Sequence, residues 1–513
     1  MPKAKTPSFI CELPLAVTPA DERKLLIRLD CARQVYNACL GEALKRLRRL
    51  QASPEYQAAC QLRRGSQKRT AAFREADQQA GFREYDLHAY ATQFNHSWLG
   101  KHLDSNTVQK VASRAYQAAQ QYAFGKRGKP RFKGKGGFDS VEGKTNASGI
   151  LWRENTVRWL GLELPAILPS RDEVIAHGLG SRVKFVRLFR RKLNGRNRFY
   201  AQLICAGKPF RKAKHVIGRG VIGLDLGPST LATVSADGRI ARLERFCDEL
   251  VSRDQVIRKL QRKLERQRRA NNAENFNADG TITKGKHTWK HSQRYLQTRA
   301  RLAEVHRLLA AQRQSLQGRK VNETLAQGDV IKMEKLSYRA FQRQYGKSVG
   351  FRAPGKFVYL LRRKAENAGV RVDEFPTRTT CLSQVCLCGA RKKKPRSRRW
   401  HACDCGVGPI QRDLFSAWLA CFVEGERLDA GRARVAWPGV DPGSTGVDTR
   451  LRTASSEIEP AMGQGNPPNL ARGQSRSSVQ SGSNISEAGH GARSARIREL
   501  VVLPEPPAFT RGE

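Results

Sequence analysis

Acidic residues and long apolar runs are both scarce in this chain of 513 residues. It contains 46 Asp and Glu against 94 Lys and Arg, which gives a formal net charge of +48 at pH 7. A charge of that size opposes compaction unless polyanions accompany the protein, so nucleic acid is the leading partner class. The longest strongly apolar run, residues 414–423, is about half the roughly 20 residues that a membrane-spanning helix needs. No membrane partner is therefore expected.

The N-terminus has no signal-peptide pattern, because Glu12 and Pro14 interrupt the stretch that follows Lys3 and Lys5. We expect a cytoplasmic protein, and we interpret its 12 cysteines as thiols or metal ligands before disulfides. Seven of them fall mostly on apolar faces and are interpreted as small core residues, at positions 11, 31, 39, 60, 205, 247 and 421.

Composition and periodicity divide the chain into segments. A helix start at residues 18–21 (Thr-Pro-Ala-Asp) precedes apolar residues at three-four spacing from Leu25 to Leu50. A region rich in β signals follows residue 125, with a hairpin turn at Asn194-Gly195, and a third region begins near residue 216. Residues 424–513 contain 11 Arg, no Lys and 11 acids and are rich in Gly, Ser and Pro, so this tail is predicted to be disordered.

Three carboxylates lie at the edges of apolar elements. Asp225 is inside an apolar strand, Glu334 ends a second strand, and Asp413 begins the helical run that follows it. A carboxylate in an apolar strand is costly without a partner, and together the three could hold two Mg²⁺ about 3.5–4 Å apart for phosphodiester hydrolysis. The alternatives are a backbone hydrogen bond at a hairpin bend for Asp225 and a plain helix cap for Asp413.

Two tight Cys-x-Cys pairs are each followed by glycine, and 14 residues separate the pairs. Four thiolates can close a tetrahedral structural Zn²⁺ site, with glycines permitting the sharp turns. The predicted ligands are Cys386, Cys388, Cys403 and Cys405. Cys381 is the one substitute ligand, and the alternative is four unliganded cysteines in a loop. The basic run at residues 391–399 between the pairs is interpreted as a phosphate contact.

Two basic segments are candidates for nucleic-acid contacts. Residues 126–135 include six basic residues beside Phe132 and Phe138, so charge and stacking are both available. The second segment is the helical stretch at residues 258–266. The alternative for both is a merely solvated face. The candidate residues are Lys126, Arg127, Lys129, Arg131, Lys133, Lys135, Arg258 and Arg262.

In this order, the features resemble TnpB, the transposon-encoded RNA-guided nuclease related to the miniature type V CRISPR effectors. The resemblance covers roughly residues 8–423. It rests on residues 33–37 (Arg-Gln-Val-Tyr-Asn), 128–133 (Gly-Lys-Pro-Arg-Phe-Lys), 223–227 (Gly-Leu-Asp-Leu-Gly), 331–336 (Ile-Lys-Met-Glu-Lys-Leu) and the cysteine ribbon followed by 412–413 (Arg-Asp).

The resemblance implies a multidomain α/β and α+β fold. A ribonuclease-H-like (RuvC) nuclease core with an inserted zinc ribbon would follow a β-barrel wedge domain that carries a helical recognition insertion. Asp225, Glu334 and Asp413 would bind Mg²⁺, and a bound guide RNA would select the DNA to be cleaved in a prokaryotic cytoplasm. The implied boundaries are 1–15 for the first wedge strand, 16–125 for recognition, 126–215 for the wedge, 216–423 for the nuclease with its ribbon at 381–406, and 424–513 for the tail.

The chain departs from the family at two places. Its cysteine pairs are Cys-x-Cys where the family usually has Cys-x-x-Cys, and residues 411–415 (Gln-Arg-Asp-Leu-Phe) replace Asp-Arg-Asp-x-Asn. The third acid is retained, so we expect an active enzyme.

Three alternatives to a transposon nuclease are kept. They are a small type V CRISPR effector, a guided nucleic-acid-binding protein with weak or no cleavage, and an ATPase of the actin-like and sugar-kinase type. The ATPase alternative is based on residues 225–230 and 237–238. An ATPase of that type requires neither the cysteine ribbon nor the large positive charge. The guide, the flanking DNA motif, the cut pattern and the oligomeric state do not follow from the sequence.

Overall fold

The computed structural model describes residues 7–395, 398–437 and 446–462. The chain divides into two compact units, Met1–Lys212 and Ala213–Glu513. The second unit begins close to residue 216, where the sequence composition changes from the β-rich region to the third region. Among the described residues, no helix combines the length and the apolar character that crossing a membrane requires.

The described part of the first unit contains six α-helices and seven strands. Its helices are α1 (Pro19–Ala52), α2 (Pro54–Gln61), α3 (Gln67–Gln79), α4 (Glu84–Thr92), α5 (Ser105–Ala123) and α6 (Glu173–Leu179). Its strands are β1 (Ser8–Pro14), β2 (Ser140–Glu142), β3 (Leu151–Arg153), β4 (Thr156–Trp159), β5 (Leu162–Pro165), β6 (Val183–Leu193) and β7 (Arg196–Ala206).

Helix α1 begins where the sequence predicts. Thr18 Oγ1 accepts the backbone N–H of Asp21 at 3.2 Å, and the Asp21 carboxylate accepts the backbone N–H of Thr18 at 3.4 Å. This reciprocal capping box, with Pro19 as the first helical residue, satisfies N–H groups that have no partner inside the helix. The predicted apolar stripe from Leu25 to Leu50 is buried in the core of the first unit. Both the predicted start of the helix and its predicted apolar face are therefore confirmed.

Two sheets make up the β-rich part of the first unit. One has the strand order β1-β7-β6-β2 and the other has the order β3-β4-β5. The β6–β7 hairpin turns through Asn194 and Gly195, whose φ angles of 48° and 78° are the positive values that a two-residue turn requires. The predicted hairpin is therefore confirmed.

The closed barrel implied for this region is wrong for the described residues. Strand β2 pairs along only three residues. A single bridge between Leu15 and Ala166 joins the two sheets. Closure into a barrel needs strands paired continuously around the ring, and these short edges do not provide that pairing.

The second unit is built on a mixed five-stranded sheet with the order β10-β9-β8-β11-β12. Strand β9 is antiparallel to both β8 and β10, whereas β11 is parallel to both β8 and β12. The strands of the unit are β8 (Val221–Leu226), β9 (Thr230–Ser235), β10 (Ala241–Arg245), β11 (Val330–Lys335), β12 (Arg371–Pro376), β13 (Trp400–His401), β14 (Ile410–Gln411), β15 (Val423–Glu424) and β16 (Arg427–Leu428).

Eight helices complete the described part of the second unit. They are α7 (Asp254–Ala270), α8 (Gln293–Leu325), α9 (Tyr338–Arg352), α10 (Pro354–Ala368), α11 (Thr377–Thr380), α12 (Arg412–Ala420), α13 (Ala430–Ala436) and α14 (Val447–Met462). Helix α12 packs on β8 and β9, and its residues from Asp413 to Ala420 are buried. It therefore forms part of the core beneath the sheet.

The predicted disorder from residue 424 onward is wrong for residues 424–437 and 446–462. Helices α13 and α14 lie there, and Ala433, Val447 and Leu451 are buried in the same cluster as α12. Composition averages over such a segment and misses a few apolar residues that are spaced to reach a core. The rest of the predicted tail lies outside the described residues.

The cysteines interpreted as core residues are buried with one exception. Cys60 is exposed near the end of α2, so its interpretation is wrong. The helix α2 has a single buried residue, Ala59, and offers no apolar face large enough to cover its neighbour.

Candidate functional site

Asp225 of β8 and Glu334 of β11 are opposed to each other on two neighbouring parallel strands. The register of β8 and β11 ends with Leu224 opposite Met333, which makes Asp225 and Glu334 the next opposed pair. Residues opposed in parallel neighbours point to the same face, and the strands are about 4.8 Å apart. The two carboxylates therefore share one face at the carboxyl ends of these strands.

Helix α12 brings the third carboxylate to that face. A Cβ atom on Gly223 would lie 1.8 Å from the carbonyl oxygen of Ala417, so the helix backbone contacts the strand directly at this glycine. Gly223 and Asp225 are on one face of β8, and Asp413 lies one helical turn before Ala417 on the same side of α12. The close packing thus places the start of α12 over Asp225.

The electrostatics of the three acids reflect their proximity. The pKa of Asp225 is raised well above its ordinary value, first by burial and then by the charges of Asp413 and Glu334. Burial raises the pKa of Glu334 to about 7. Burial and the two neighbouring carboxylates disfavour the charge of Asp225, and a cation bound there would stabilise it. The sequence-predicted acids are therefore brought together.

The plain helix cap considered for Asp413 does not describe this geometry. Gln411 caps α12, since its Oε1 accepts the backbone N–H groups of Asp413 at 2.6 Å and Leu414 at 2.9 Å. The Asp413 carboxylate instead accepts hydrogen bonds from Arg412 at 3.3 Å and Arg399 at 3.4 Å. Two arginines therefore supply the counter-charge of this acid.

The four predicted zinc ligands form two matching turns. In each, the first cysteine N–H donates to the carbonyl four residues later at 2.9 Å, and the carbonyl of that cysteine accepts the N–H of the following glycine. Gly389 and Gly406 have φ angles of 86° and 90°, which explains why glycine follows each pair. The ribbon loop is completed by β13 and β14.

The cysteine geometry fits zinc. All four Sγ atoms lie within 4.8 Å of one another. Sγ atoms of Cys386 and Cys405 are 3.6 Å apart, and those of Cys388 and Cys403 are 3.7 Å apart. A tetrahedron with Zn–S bonds of about 2.3 Å has edges of about 3.8 Å, whereas a disulfide bond is about 2.05 Å long.

Cys381 lies outside this group of four. Its Sγ accepts a hydrogen bond from Arg391 Nη2 at 2.6 Å and donates to the carbonyl oxygen of Arg378 at 3.3 Å. Within the group, the backbone N–H of Cys405 lowers the pKa of the Cys403 thiol to about 7, while burial raises the pKa of Cys386. The four-cysteine set needs no substitute ligand.

Comparisons with known proteins give a limited likeness. No protein-family model matches the chain, and no curated protein matches its sequence. A cryo-EM structure of a Cas12f1–sgRNA–target DNA complex is similar with a TM-score of 0.36 and 11% identity, covering 80% of this chain and 98% of that chain. A cryo-EM structure of a CRISPR-Cas12f ternary complex has a TM-score of 0.25 and 12% identity, covering 79% and 82%. Because the TM-scores and sequence identities are this low, function has to be inferred from the chain's own residues.

The first basic segment is an exposed loop fixed to α1. Asn37 Nδ2 donates to the carbonyl oxygen of Lys133 at 2.9 Å, and its Oδ1 accepts the Lys133 N–H at 2.7 Å. Phe132 is 60% exposed, whereas Phe138 is 3% exposed and cannot stack on a base. The exposed basic residues of the loop are Lys126, Arg127, Lys129, Arg131, Lys133 and Lys135.

The second basic segment lies on α7. Ile257 and Leu260 are buried on one side of the helix, and Arg258 and Arg262 are exposed. Contacts of either basic segment with nucleic acid remain a prediction.

Sequence reasoning missed three residues that position the acids. Gly223 permits the close approach of α12, Gln411 caps that helix, and Ser455 of α14 accepts the Gln411 N–H at 3.0 Å. A glycine inside an apolar strand is a signal of close backbone approach, so Gly223 could have been found. The distant Ser455 has no such signal.

Proposed function

We propose that this protein is an RNA-guided DNA endonuclease whose nuclease core, of the ribonuclease-H-like (RuvC) type, is the second unit. The observation that carries the proposal is the convergence of Asp225, Glu334 and Asp413 on one face of the sheet. Nucleic acid is the substrate class that suits a chain with a net charge of +48.

The three acids would hold Mg²⁺. Carboxylate oxygens are the ligands that Mg²⁺ prefers, and the cation would offset the burial and the neighbouring carboxylate charges that raise the pKa of Asp225. When bound, Mg²⁺ supplies water activation and stabilisation of the leaving oxygen in phosphodiester hydrolysis. The chain's contribution is to fix Asp225 and Glu334 on strands and Asp413 on a helix, so little reorganisation is needed.

Arg399 connects the cysteine ribbon with the acids. It lies in the basic run between the cysteine pairs, and its guanidinium contacts the Asp413 carboxylate. Because its side chain is about half exposed, it can exchange that carboxylate for a DNA phosphate. The ribbon would then help to place the strand at the acids, while base pairing with the guide RNA selects the sequence.

Cleavage by an Asp225→Ala variant tests the catalytic assignment. We expect the full chain with its RNA to cut matching DNA in Mg²⁺ and the variant to lose at least about a thousandfold in rate, since a metal ligand would be removed. Asp248→Ala is the matched control, because Asp248 is an exposed acid of the same unit. Cleavage retained by a folded Asp225→Ala protein would contradict the proposal.

Sequencing of RNA that co-purifies from the native locus tests guidance. We expect a discrete species with a constant scaffold and a variable end that matches the cleaved DNA. The origin of the variable end separates a transposon nuclease from a small type V CRISPR effector. Random cellular RNA, or none, would contradict the guided part and leave an unguided nuclease.

A guided binding protein without cleavage is the second candidate. It is favoured by the two arginines on Asp413, which compete with a cation for that carboxylate. In that case Asp225→Ala would leave DNA binding unchanged and cleavage would be at background in both proteins. ATP hydrolysis that persists without nucleic acid would instead revive the ATPase alternative.

Elemental analysis tests the zinc site. We expect one Zn²⁺ per chain in protein purified without chelator, and loss of that zinc in Cys388→Ser combined with Cys405→Ser. Cys60→Ser is the matched control, since Cys60 is an exposed cysteine outside the cluster. Unstripped protein without zinc would contradict this assignment.

A further inference from the structure

The C-terminal segment made of residues 430–437 and 446–457 contacts both cysteine turns. Arg434 of α13 donates to the carbonyl oxygen of Leu387, between the first two cysteines, at 2.7 Å from Nη2 and 3.2 Å from Nε. Arg452 of α14 donates from Nη2 to the carbonyl oxygen of Gly406, directly after the last cysteine, at 3.2 Å. One arginine of this C-terminal segment therefore holds each turn.

The same segment contacts helix α12, which carries Asp413. Ser455 Oγ accepts the backbone N–H of Gln411, the cap residue of α12, at 3.0 Å. Ser455 is 1% exposed, so water cannot easily replace its hydroxyl as the partner. The ring of Trp437 lies 4.8 Å from that of Trp418 in the middle of α12. The segment thus fixes both the start and the body of the helix.

We propose that residues 430–437 and 446–457 form a clasp that couples the zinc ribbon to the position of the Asp413 carboxylate. The two arginines hold the cysteine turns, while Ser455 and Trp437 hold α12. Groups that support metal ligands from outside change metal affinity 10–100-fold when they are removed. The part of the proposal that concerns zinc does not depend on the proposed function. Its consequence for DNA cleavage rests on the proposed function.

Zinc release tests the first half. In the full chain purified with zinc, we expect Arg434→Ala combined with Arg452→Ala to release zinc to a chromogenic chelator about tenfold faster. The single variants should release it at intermediate rates, which keeps the test informative if the double variant does not fold. Arg432→Ala is the matched control, because Arg432 is on the same helix and pairs with Glu424. Release at the unsubstituted rate would overturn the coupling to the ribbon.

Hydrogen exchange with Ser455→Ala tests the second half. The variant removes the acceptor of the Gln411 N–H, so we expect the amides of residues 411–416 to exchange about tenfold faster. The Mg²⁺ concentration for half-maximal cleavage should rise by a similar factor. Ser456→Ala is the matched control, since Ser456 is exposed and donates to the carbonyl oxygen of Thr453 in its own helix.

The two readouts separate this proposal from the proposed function. Unchanged exchange at residues 411–416 in Ser455→Ala would overturn the coupling to α12, whether or not the protein cleaves DNA. Faster exchange in a protein that shows no guided cleavage would leave the clasp in place and overturn the endonuclease assignment instead.

Discussion

At the scale of single residues, Asp225 and Glu334 are held in surroundings that disfavour their charge. Burial raises the pKa of both, and that of Glu334 reaches about 7 from an ordinary 4.5. Such surroundings reduce stability at neutral pH and favour binding of a cation. Arg399 and Arg412 form ion pairs with Asp413, and their charges offset the raised pKa of Asp225 only in part. The site is therefore less stable than a core of the same size would be, which is typical of functional sites.

Glu334→Gln should stabilise the protein at high pH. Between pH 4.5 and about 7 the folded state binds more protons at Glu334 than the unfolded state. The contribution of Glu334 protonation to the free energy of unfolding is therefore complete below pH 4.5 and is lost as the pH rises through about 7. We expect Glu334→Gln to raise the free energy of unfolding by about 1–3 kcal/mol at about pH 8 in EDTA and to change it little at about pH 4. Calorimetry at both pH values measures this difference.

Glu366→Gln is the control for that measurement. Glu366 is exposed on α10, and its replacement should change stability by less than about 0.5 kcal/mol at either pH. Destabilisation by Glu334→Gln at high pH, or an equal effect at both pH values, would contradict the inferred environment of Glu334. In addition, Mg²⁺ should stabilise the unsubstituted protein more than the variant, because a ligand that binds only the folded state shifts the equilibrium towards it.

At the scale of elements, helix α12 is the part that completes the site. Its first turn carries Asp413, its middle contacts Gly223, and its far end leads to Val423, whose carbonyl oxygen accepts a hydrogen bond from Lys332 at 2.7 Å. Lys332 is buried, and a cation beyond the end of a helix complements the negative end of its dipole. The helix is thus held at both ends and in the middle.

Gly223→Ala should displace α12 from the sheet. The added Cβ would lie 1.8 Å from a backbone oxygen, which cannot move aside as a flexible side chain could. We expect a decrease of about 3 kcal/mol in unfolding free energy, as for severe overpacking, and loss of DNA cleavage. Thermal unfolding and a cleavage assay check both results.

Gly350→Ala is the matched glycine control for this substitution. Gly350 lies in helix α9 and has no atom within 4 Å of the added Cβ, so its substitution should stabilise by up to about 1 kcal/mol. A Gly223→Ala protein as stable as the unsubstituted one would show that α12 does not pack as described.

At the scale of the whole molecule, the large positive net charge determines how the protein interacts with nucleic acid. The excess of Lys and Arg lies in residues 1–423, since the remaining residues hold 11 Arg and 11 acids. Binding of a polyanion releases condensed counterions, so affinity for nucleic acid should fall steeply with salt. Base contacts would add little to that dependence, because the salt effect comes from the phosphates, which carry no sequence information.

Replacing Lys126, Lys129 and Lys133 with Gln should weaken nucleic-acid binding without changing the fold. Removing one phosphate contact lowers the slope of log K against log [salt] by about 0.7–0.9, so we expect a decrease of about 2–3 for the three substitutions. Binding of a single-stranded RNA oligonucleotide between about 50 and 200 mM salt measures the slope. The control replaces three exposed basic residues of the α2–α3 region, Arg63, Arg64 and Lys68, with Gln. Equal decreases in both proteins would show a diffuse charge effect rather than binding by the loop.

The sequence by itself determined the local elements and the identity of the reactive side chains. The α1 capping box, the Asn194-Gly195 turn and the four cysteines follow from short-range rules, because the interacting residues are near in the chain. The three acids could be named for the same reason, since each interrupts an apolar element. Their convergence could not be inferred, because it depends on the register of β8 with β11, which are more than 100 residues apart.

Only the tertiary structure decided how the site is assembled. Gln411 caps α12, and Ser455, from a segment whose composition predicts disorder, supports that cap. The implied barrel was not found among the described residues, because closure depends on pairing between distant strand edges. In each case the deciding contact joins residues far apart in the chain, and its free energy comes from packing that no local pattern of residues specifies.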